Sequence, residues 1–399
     1  MVKPRETFMA ITLFTLSFIS LGFANLSSAE TIKIGVVGPR TGSAAAEGTA
    51  FDEGIALALD AIRAKGGIHG SSVEVVFEDT GGGPEKAAAA FEKLVTKDKV
   101  AIVLGESHSS AALAEIEVAN RYHTPFIVAE AWADAIMEKK YPSVFRAGPY
   151  NTDVVNSTIV QFIKEGHFKK VSIVAENSDW GKGIGALTDS ALKKEKIEHS
   201  LTEVDQNAKD FYPSLNKVKT EKPDLVLAYI YSFGLHTFVS QARELSVSPN
   251  ALVLDGAGPP SLWGEFWTNV GKAGDGELFI SPMHESVQPN AEAKAFWNAY
   301  KKKFSKSPSD YKIRSAYITV LLAADALERA NSTEPSDVVN ALEKTNFSAP
   351  TGKIHFGTKQ GDIHYHQWSP QMLAVQWQNR KQVVVFPKNV ATGTIEFSK

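Results

Sequence analysis

The run Gly105-Glu-Ser-His-Ser-Ser110 places hydroxyl, carboxylate and imidazole groups directly after the apolar stretch 100–104. Gly105-Glu-Ser107-His-Ser109 begins like the turn that presents a nucleophilic serine in hydrolases. That turn needs glycine at its last position, and here the position is Ser109. What remains is a serine hydroxyl beside the unpaired backbone N–H groups that open a helix, a combination that captures a carboxylate. A simple helix N-cap accounts for a serine here as well. Gly81-Gly-Gly-Pro84 lacks a following Gly-Lys-Ser/Thr and is not a phosphate-binding loop. The glycines around Gly181 and Gly183 are too few for a dinucleotide fingerprint. His364 and His366 alternate on a strand-like run near His355, but a metal would still require a carboxylate, and an exposed sheet face explains them equally. The expectation is therefore a protein without enzymatic activity, cofactor or metal.

Groups of this kind need rigid elements to position them, and the chain supplies a regular supply of strands and helices. Short β-branched runs at 32–37, 73–78, 100–104 and 126–129 alternate with helical spacing at 51–64, 84–96 and 111–122. The rhythm restarts after Pro149, with strands at 171–175, 197–204, 225–229 and 251–254 separated by helices. Strand, helix, strand at this spacing predicts parallel sheets covered on both faces. Two such cassettes define an α/β protein with two Rossmann-like lobes. Helices at 291–304, 315–330 and 336–345 and strand-like runs at 372–377 and 382–386 are too few for a third unit. The tail therefore completes the other two, and the chain crosses between lobes more than once. In such sheets ligands gather beyond the carboxyl ends of the strands.

The start of the chain decides its compartment. Lys3 and Arg5 precede an uncharged run at 8–24, and Ser27-Ser-Ala29 offers small residues before Glu30. This is the layout of a secretory signal cleaved after Ala29, and the run is too short and too rich in Ser and Thr to suit a membrane anchor. Among the 399 residues there is no cysteine, which removes both disulfides and the thiol of a lipid anchor. A free periplasmic protein fits both facts. The net charge of −3 gives no argument for nucleic acid or anionic membrane as a partner.

In order along the chain, Ile34-Gly-Val-Val-Gly-Pro-Arg-Thr-Gly42, Lys65-Gly-Gly-Ile-His-Gly70, Asp79, Gly105 with Ser109-Ser110, Thr124-Pro125, Phe145-Arg146, Asp179-Trp-Gly-Lys-Gly183 and Gly352-Lys-Ile-His-Phe356 resemble the branched-chain amino acid (Leu/Ile/Val) binding proteins of ATP-driven importers. Each piece is short, and their ordered sum is specific. The resemblance implies a type I periplasmic binding fold joined by three crossovers. It puts residues 30–150 and 283–350 in the first lobe and 151–282 and 351–399 in the second. It further implies reversible capture of a small polar ligand, foremost a branched-chain or hydrophobic amino acid, by a monomer that docks on an inner-membrane permease.

Carried over by position, Ser109 would bind the ligand carboxylate, Ala131 would contribute backbone, Trp180 and Tyr231 would pack on the ligand, and Asp255 would pair with its ammonium. An Asx-type turn before Gly256 is the competing account of Asp255. Two departures bear on the ligand. Trp132 replaces a threonine hydroxyl with an aromatic wall, and Glu47 stands where an aromatic is usual, with Glu130 beside the same mouth. If these acids face inward the cleft favours added positive charge; if outward they are solvated carboxylates. Short amides, urea or aromatic carboxylates are the alternative ligands, and a receptor in place of a permease is the alternative partner.

Overall fold

The computed structural model describes residue 1 and residues 31–42, 44–248 and 250–397. The expected secretory segment 1–29 lies outside the described residues except for its first residue. Strands β1 (Ile32–Gly38), β2 (Val73–Asp79), β3 (Ile102–Gly105), β4 (Phe126–Val128) and β5 (Val144–Ala147) build the first lobe. Strands β6 (Lys170–Glu176), β7 (Glu198–Val204), β8 (Leu225–Tyr229), β9 (Leu252–Asp255) and β10 (Leu278–Ser281) build the second. The tail adds a hairpin of β11 (Phe347–Ala349) and β12 (Gly352–Ile354), then β13 (Gln367–Trp368), β14 (Leu373–Gln378) and β15 (Lys381–Phe386).

The first sheet runs β13-β5-β4-β3-β1-β2 and is parallel throughout. The second runs β15-β14-β10-β9-β8-β6-β7, parallel except for the β14 and β15 edge. Every residue of β3, β4, β5, β8, β9 and β10 is buried, the pattern expected of central strands with helices on both faces. One core packs Ile34, Val36, Ile102 and Leu104 against Ala316, Leu322 and Leu327 of the helix Lys312–Ala330. Another packs Ile173, Leu227 and Leu254 against Ile159, Ile184 and Leu192.

The chain changes sheets after β5, after β10 and after β13, which gives three crossovers. The expected boundary at 350/351 needs correction. Ile354 and Phe356 bury in the first core, and β13 pairs in parallel with β5, so the segment through Trp368 stays with the first lobe. The third crossover follows Trp368. Central strands β5 and β10 were not anticipated as separate strands; each is four residues long and offers too little periodicity to read.

Candidate functional site

The carboxyl ends of both sheets face a shared cleft that encloses roughly 180 Å³. From the first lobe, Gly82 follows β2, Ser107 to Ser110 follow β3, Glu130 and Trp132 follow β4, and Tyr311 and Lys312 open a long helix. From the second lobe, Glu176, Ser178 and Trp180 end β6 and start the helix Asp179–Glu195, Tyr231 follows β8 and Ala257 follows β9. The loop after β3 is fixed by Gly105, whose φ of +123° and close approach to Val37 O, 2.0 Å from where a Cβ would sit, admit no side chain.

Glu106 shapes the first-lobe wall. It is buried and accepts from Thr80 Oγ1 at 2.7 Å, Ser107 N at 2.7 Å and His108 N at 2.9 Å. Burial opposes its charge, but His108 and these donors outweigh burial and hold its pKa below the usual range. Burial likewise opposes a charged His108, whereas Glu106 and Glu47 outweigh it and raise the imidazole pKa. His108, its pKa raised, borders the start of the helix Ser109–Tyr122, and its protonated form adds positive charge where the helix already presents N–H donors. Ser109 lines the cleft and accepts from Ala133 N at 3.1 Å, so its own hydroxyl proton is free to turn toward a ligand. Ser110 donates across the cleft to Asp179 at 2.7 Å.

Aromatic walls enclose the rest. Trp132 and Trp180, one from each lobe, meet edge to face at 6.3 Å, and Tyr231 lies 6.1 Å from Trp180. Glu130 holds Trp132 by accepting from its Nε1 at 3.1 Å and also accepts from Ser315 Oγ. Burial raises the Glu130 pKa against the opposing field of Arg314. Glu47, expected at the ligand, is instead fully buried behind the residues that line the cleft, where it pairs with buried Lys312 at 2.7 Å and accepts from Ser107 Oγ and Tyr231 Oη. Lys312 also donates to Tyr231 Oη, so this network ties the lobes together.

Two further expected contacts are corrected. Asp255 does not reach the cleft. Its carboxylate accepts from Ala257 N at 2.8 Å, Gly258 N at 2.9 Å and Ser261 Oγ at 2.7 Å, which is the Asx-type turn. Burial raises its pKa to about 6 despite these donors. Ala131 is fully buried behind the wall, and its carbonyl accepts from Arg146 Nη1 at 3.3 Å.

The acid that does face the cleft from the second lobe is Glu176. It accepts from Ser178 Oγ at 2.6 Å and Tyr231 N at 2.8 Å, and burial pushes its pKa up to about 7. The neighbouring acids also have cations near them: buried Glu47 has Lys312, buried Glu106 has His108 at 3.6 Å, Glu130 feels Arg314, and Glu176 itself feels His108. Among the described residues no cation forms an ion pair with Glu176. Sequence reading passed over Glu176, His108, Tyr311 and Lys312. The strand-end rule could have found Glu176, the last residue of β6; Lys312 gave no signal, since its partner Glu47 lies 265 residues away.

Two α/β lobes closing on a cleft built from strand-end loops define a two-lobed solute-binding protein. The chain belongs to the periplasmic binding protein family, whose model matches residues 31–382. It is 27% identical over 346 residues to the leucine-, isoleucine-, valine-, threonine- and alanine-binding protein of Pseudomonas aeruginosa, covering 86% of this chain and 90% of the relative. It is 25% identical over 395 residues to Leu/Ile/Val-binding protein homolog 7 of Brucella abortus, covering 96% and 98%. The branched-chain amino acid transporter substrate binding protein LivJ of Streptococcus pneumoniae, solved with isoleucine, superposes with a TM-score of 0.79 at 28% identity over 90% of this chain and 100% of that one. A solute binding protein from R. palustris, solved with benzoate, shares the fold with a TM-score of 0.78 at 21% identity over 92% and 99%.

Proposed function

We propose that this chain is the periplasmic substrate-binding component of an ABC importer and captures a hydrophobic α-amino acid between its lobes. The observation that carries the ligand class is the unpaired Glu176 carboxylate in a cleft whose opposite wall is an anion-accepting helix start. The ligand carboxylate sits at Ser109 and Ser110 beside His108. Its ammonium neutralises Glu176, and its side chain fills the space between Trp132, Trp180 and Tyr231. A buried carboxylate is stabilised by such a cation, and a zwitterion supplies one without adding net charge. Contacts from both lobes favour the closed form, which a permease reads. The secretory layout of the first residues and the periplasmic relatives support the compartment.

Aromatic carboxylates are the second reading, favoured by the tryptophan walls and by the benzoate-bound neighbour. They leave Glu176 without a partner. Isothermal titration with L-leucine, L-isoleucine, L-valine, L-phenylalanine, benzoate and urea separates the readings. Binding of the amino acids alone supports the first; binding of benzoate with no amino acid overturns it.

A further inference from the structure

Asp310-Tyr-Lys312 opens the long helix Lys312–Ala330 of the first lobe, yet each of its three side chains meets the second lobe. Asp310 accepts from Trp263 Nε1 at 3.2 Å. Tyr311 donates to Ala257 O at 3.0 Å and packs its ring in the second core. Gly258, with a φ of +88°, makes room for that ring, since a Cβ there would stand 3.2 Å from Tyr311 Cε1. Lys312 donates to Tyr231 Oη, which in turn donates to Glu47, and the ammonium lies 4.5 Å from the centre of the Tyr231 ring. All three residues are buried, and Asp310 also accepts from Lys312 N at 2.8 Å, which fixes the segment locally. Behind them, Ala316, Leu322 and Leu327 anchor the helix in the first core.

From this arrangement we infer that Asp310, Tyr311 and Lys312 form an interlobe latch that holds the lobes closed in a large share of molecules before any ligand arrives, and so sets affinity through closure. The Glu47–Lys312 ion pair lies within the first lobe and survives opening; what opening removes is the Tyr231 hydroxyl that caps it, together with the bonds from Trp263 and Tyr311. Neither Asp310 nor Trp263 is among the described residues that line the cleft, so their bond acts on closure alone. A hydrogen bond to a charged group made only in the closed form shifts the closed-to-open ratio by about tenfold. A ligand that requires the closed form binds with an apparent Kd inversely proportional to the closed fraction. The latch therefore strengthens every cleft ligand by the same factor and leaves their ranking unchanged, whichever ligand the cleft takes.

Pulsed dipolar EPR of the ligand-free chain tests the latch. The sequence has no cysteine, so Glu85→Cys and Lys209→Cys supply the two spin-label sites; both residues are exposed and flank the mouth, one near Pro84 of the first lobe and one near Gln206 of the second. A major population at the short separation of this structure is expected. Trp263→Phe and Tyr231→Phe should each move the closed-to-open ratio about tenfold toward open, and the double variant about a hundredfold. Tyr231→Phe changes a single hydroxyl and carries the test alone if Trp263→Phe does not fold. Ser172→Ala, which removes a bond to Glu221 at 2.6 Å inside the second lobe, should lower stability and keep the wild-type distribution. A wild-type chain that is wholly open without ligand overturns the inference, as do folded latch variants that stay as closed as wild type. Equal opening by Ser172→Ala also overturns it, because the effect would then be general destabilisation.

Discussion

Replacing Glu176 with glutamine keeps the shape of the side chain and removes the second-lobe cleft carboxylate, which forms no ion pair among the described residues. If the ligand ammonium supplies its partner, the loss is that of a buried charge pair, about 3 kcal/mol or roughly 150-fold in Kd at pH 8. The pH dependence follows from the Glu176 pKa of about 7 in the unliganded fold. At pH 8 the carboxylate is charged and ready; at pH 6 it is mostly protonated. The wild-type advantage over Glu176→Gln should therefore shrink about tenfold between pH 8 and pH 6.

Stability moves the opposite way. Glu176 has its pKa raised from 4.5 to about 7, so below pH 4.5 it is protonated both folded and unfolded. As pH rises the unfolded chain loses its proton first, and by pH 8 the unliganded wild type has lost about 3 kcal/mol that the glutamine variant retains. Isothermal titration of L-leucine at pH 6, 7 and 8 and urea unfolding at the same values measure both effects. Equal affinity of the two proteins at pH 8, or a ratio independent of pH, refutes the reasoning.

Asp255→Ala strips the acceptor from Ala257 N, Gly258 N and Ser261 Oγ and should cost about 2 kcal/mol of stability by urea unfolding. Its Kd for L-leucine should stay within about twofold of wild type, since truncation at a site outside the cleft removes no ligand contact. Lys312→Met leaves Glu47 buried without its cation and should lower stability by about 3–5 kcal/mol, with recovery in the double variant Lys312→Met/Glu47→Leu. Calorimetric melting of both variants checks this, and a double variant as unstable as the single one would deny the pair its role. Trp132→Ala should weaken L-leucine binding by about 2 kcal/mol, roughly 30-fold, as loss of a buried aromatic anchor does. An unchanged Kd by isothermal titration would remove Trp132 from the ligand wall.

The strands 32–37, 171–175 and 225–229 were readable because short, largely apolar runs bounded by polar residues leave little choice when both faces are buried. Strand β13 was not readable: two residues carry no period, and only pairing with β5 makes them a strand. That is why the third crossover falls later than expected. Ser109, Trp132, Trp180, Tyr231 and Glu130 follow strand ends and line the cleft, as the carboxyl-end rule for parallel sheets leads one to expect. Asp255 obeys the same rule in sequence and still turns away. Its Gly-Ala-Gly neighbours offer backbone N–H groups closer than any ligand, and a local Asx turn wins over a distant contact. Lys312 changes the meaning of Glu47 from a cleft charge to half of a neutral pair, through a contact visible only in three dimensions.

A crystal structure of the chain grown with L-leucine at pH 8 tests the central claim most directly. The account predicts the ligand carboxylate on the Ser109 and Ser110 amides and its ammonium hydrogen-bonded to Glu176, with Asp255 still engaged in its turn. Leucine with its ammonium on Asp255, or leucine bound outside the cleft with Glu176 unpaired, would contradict it.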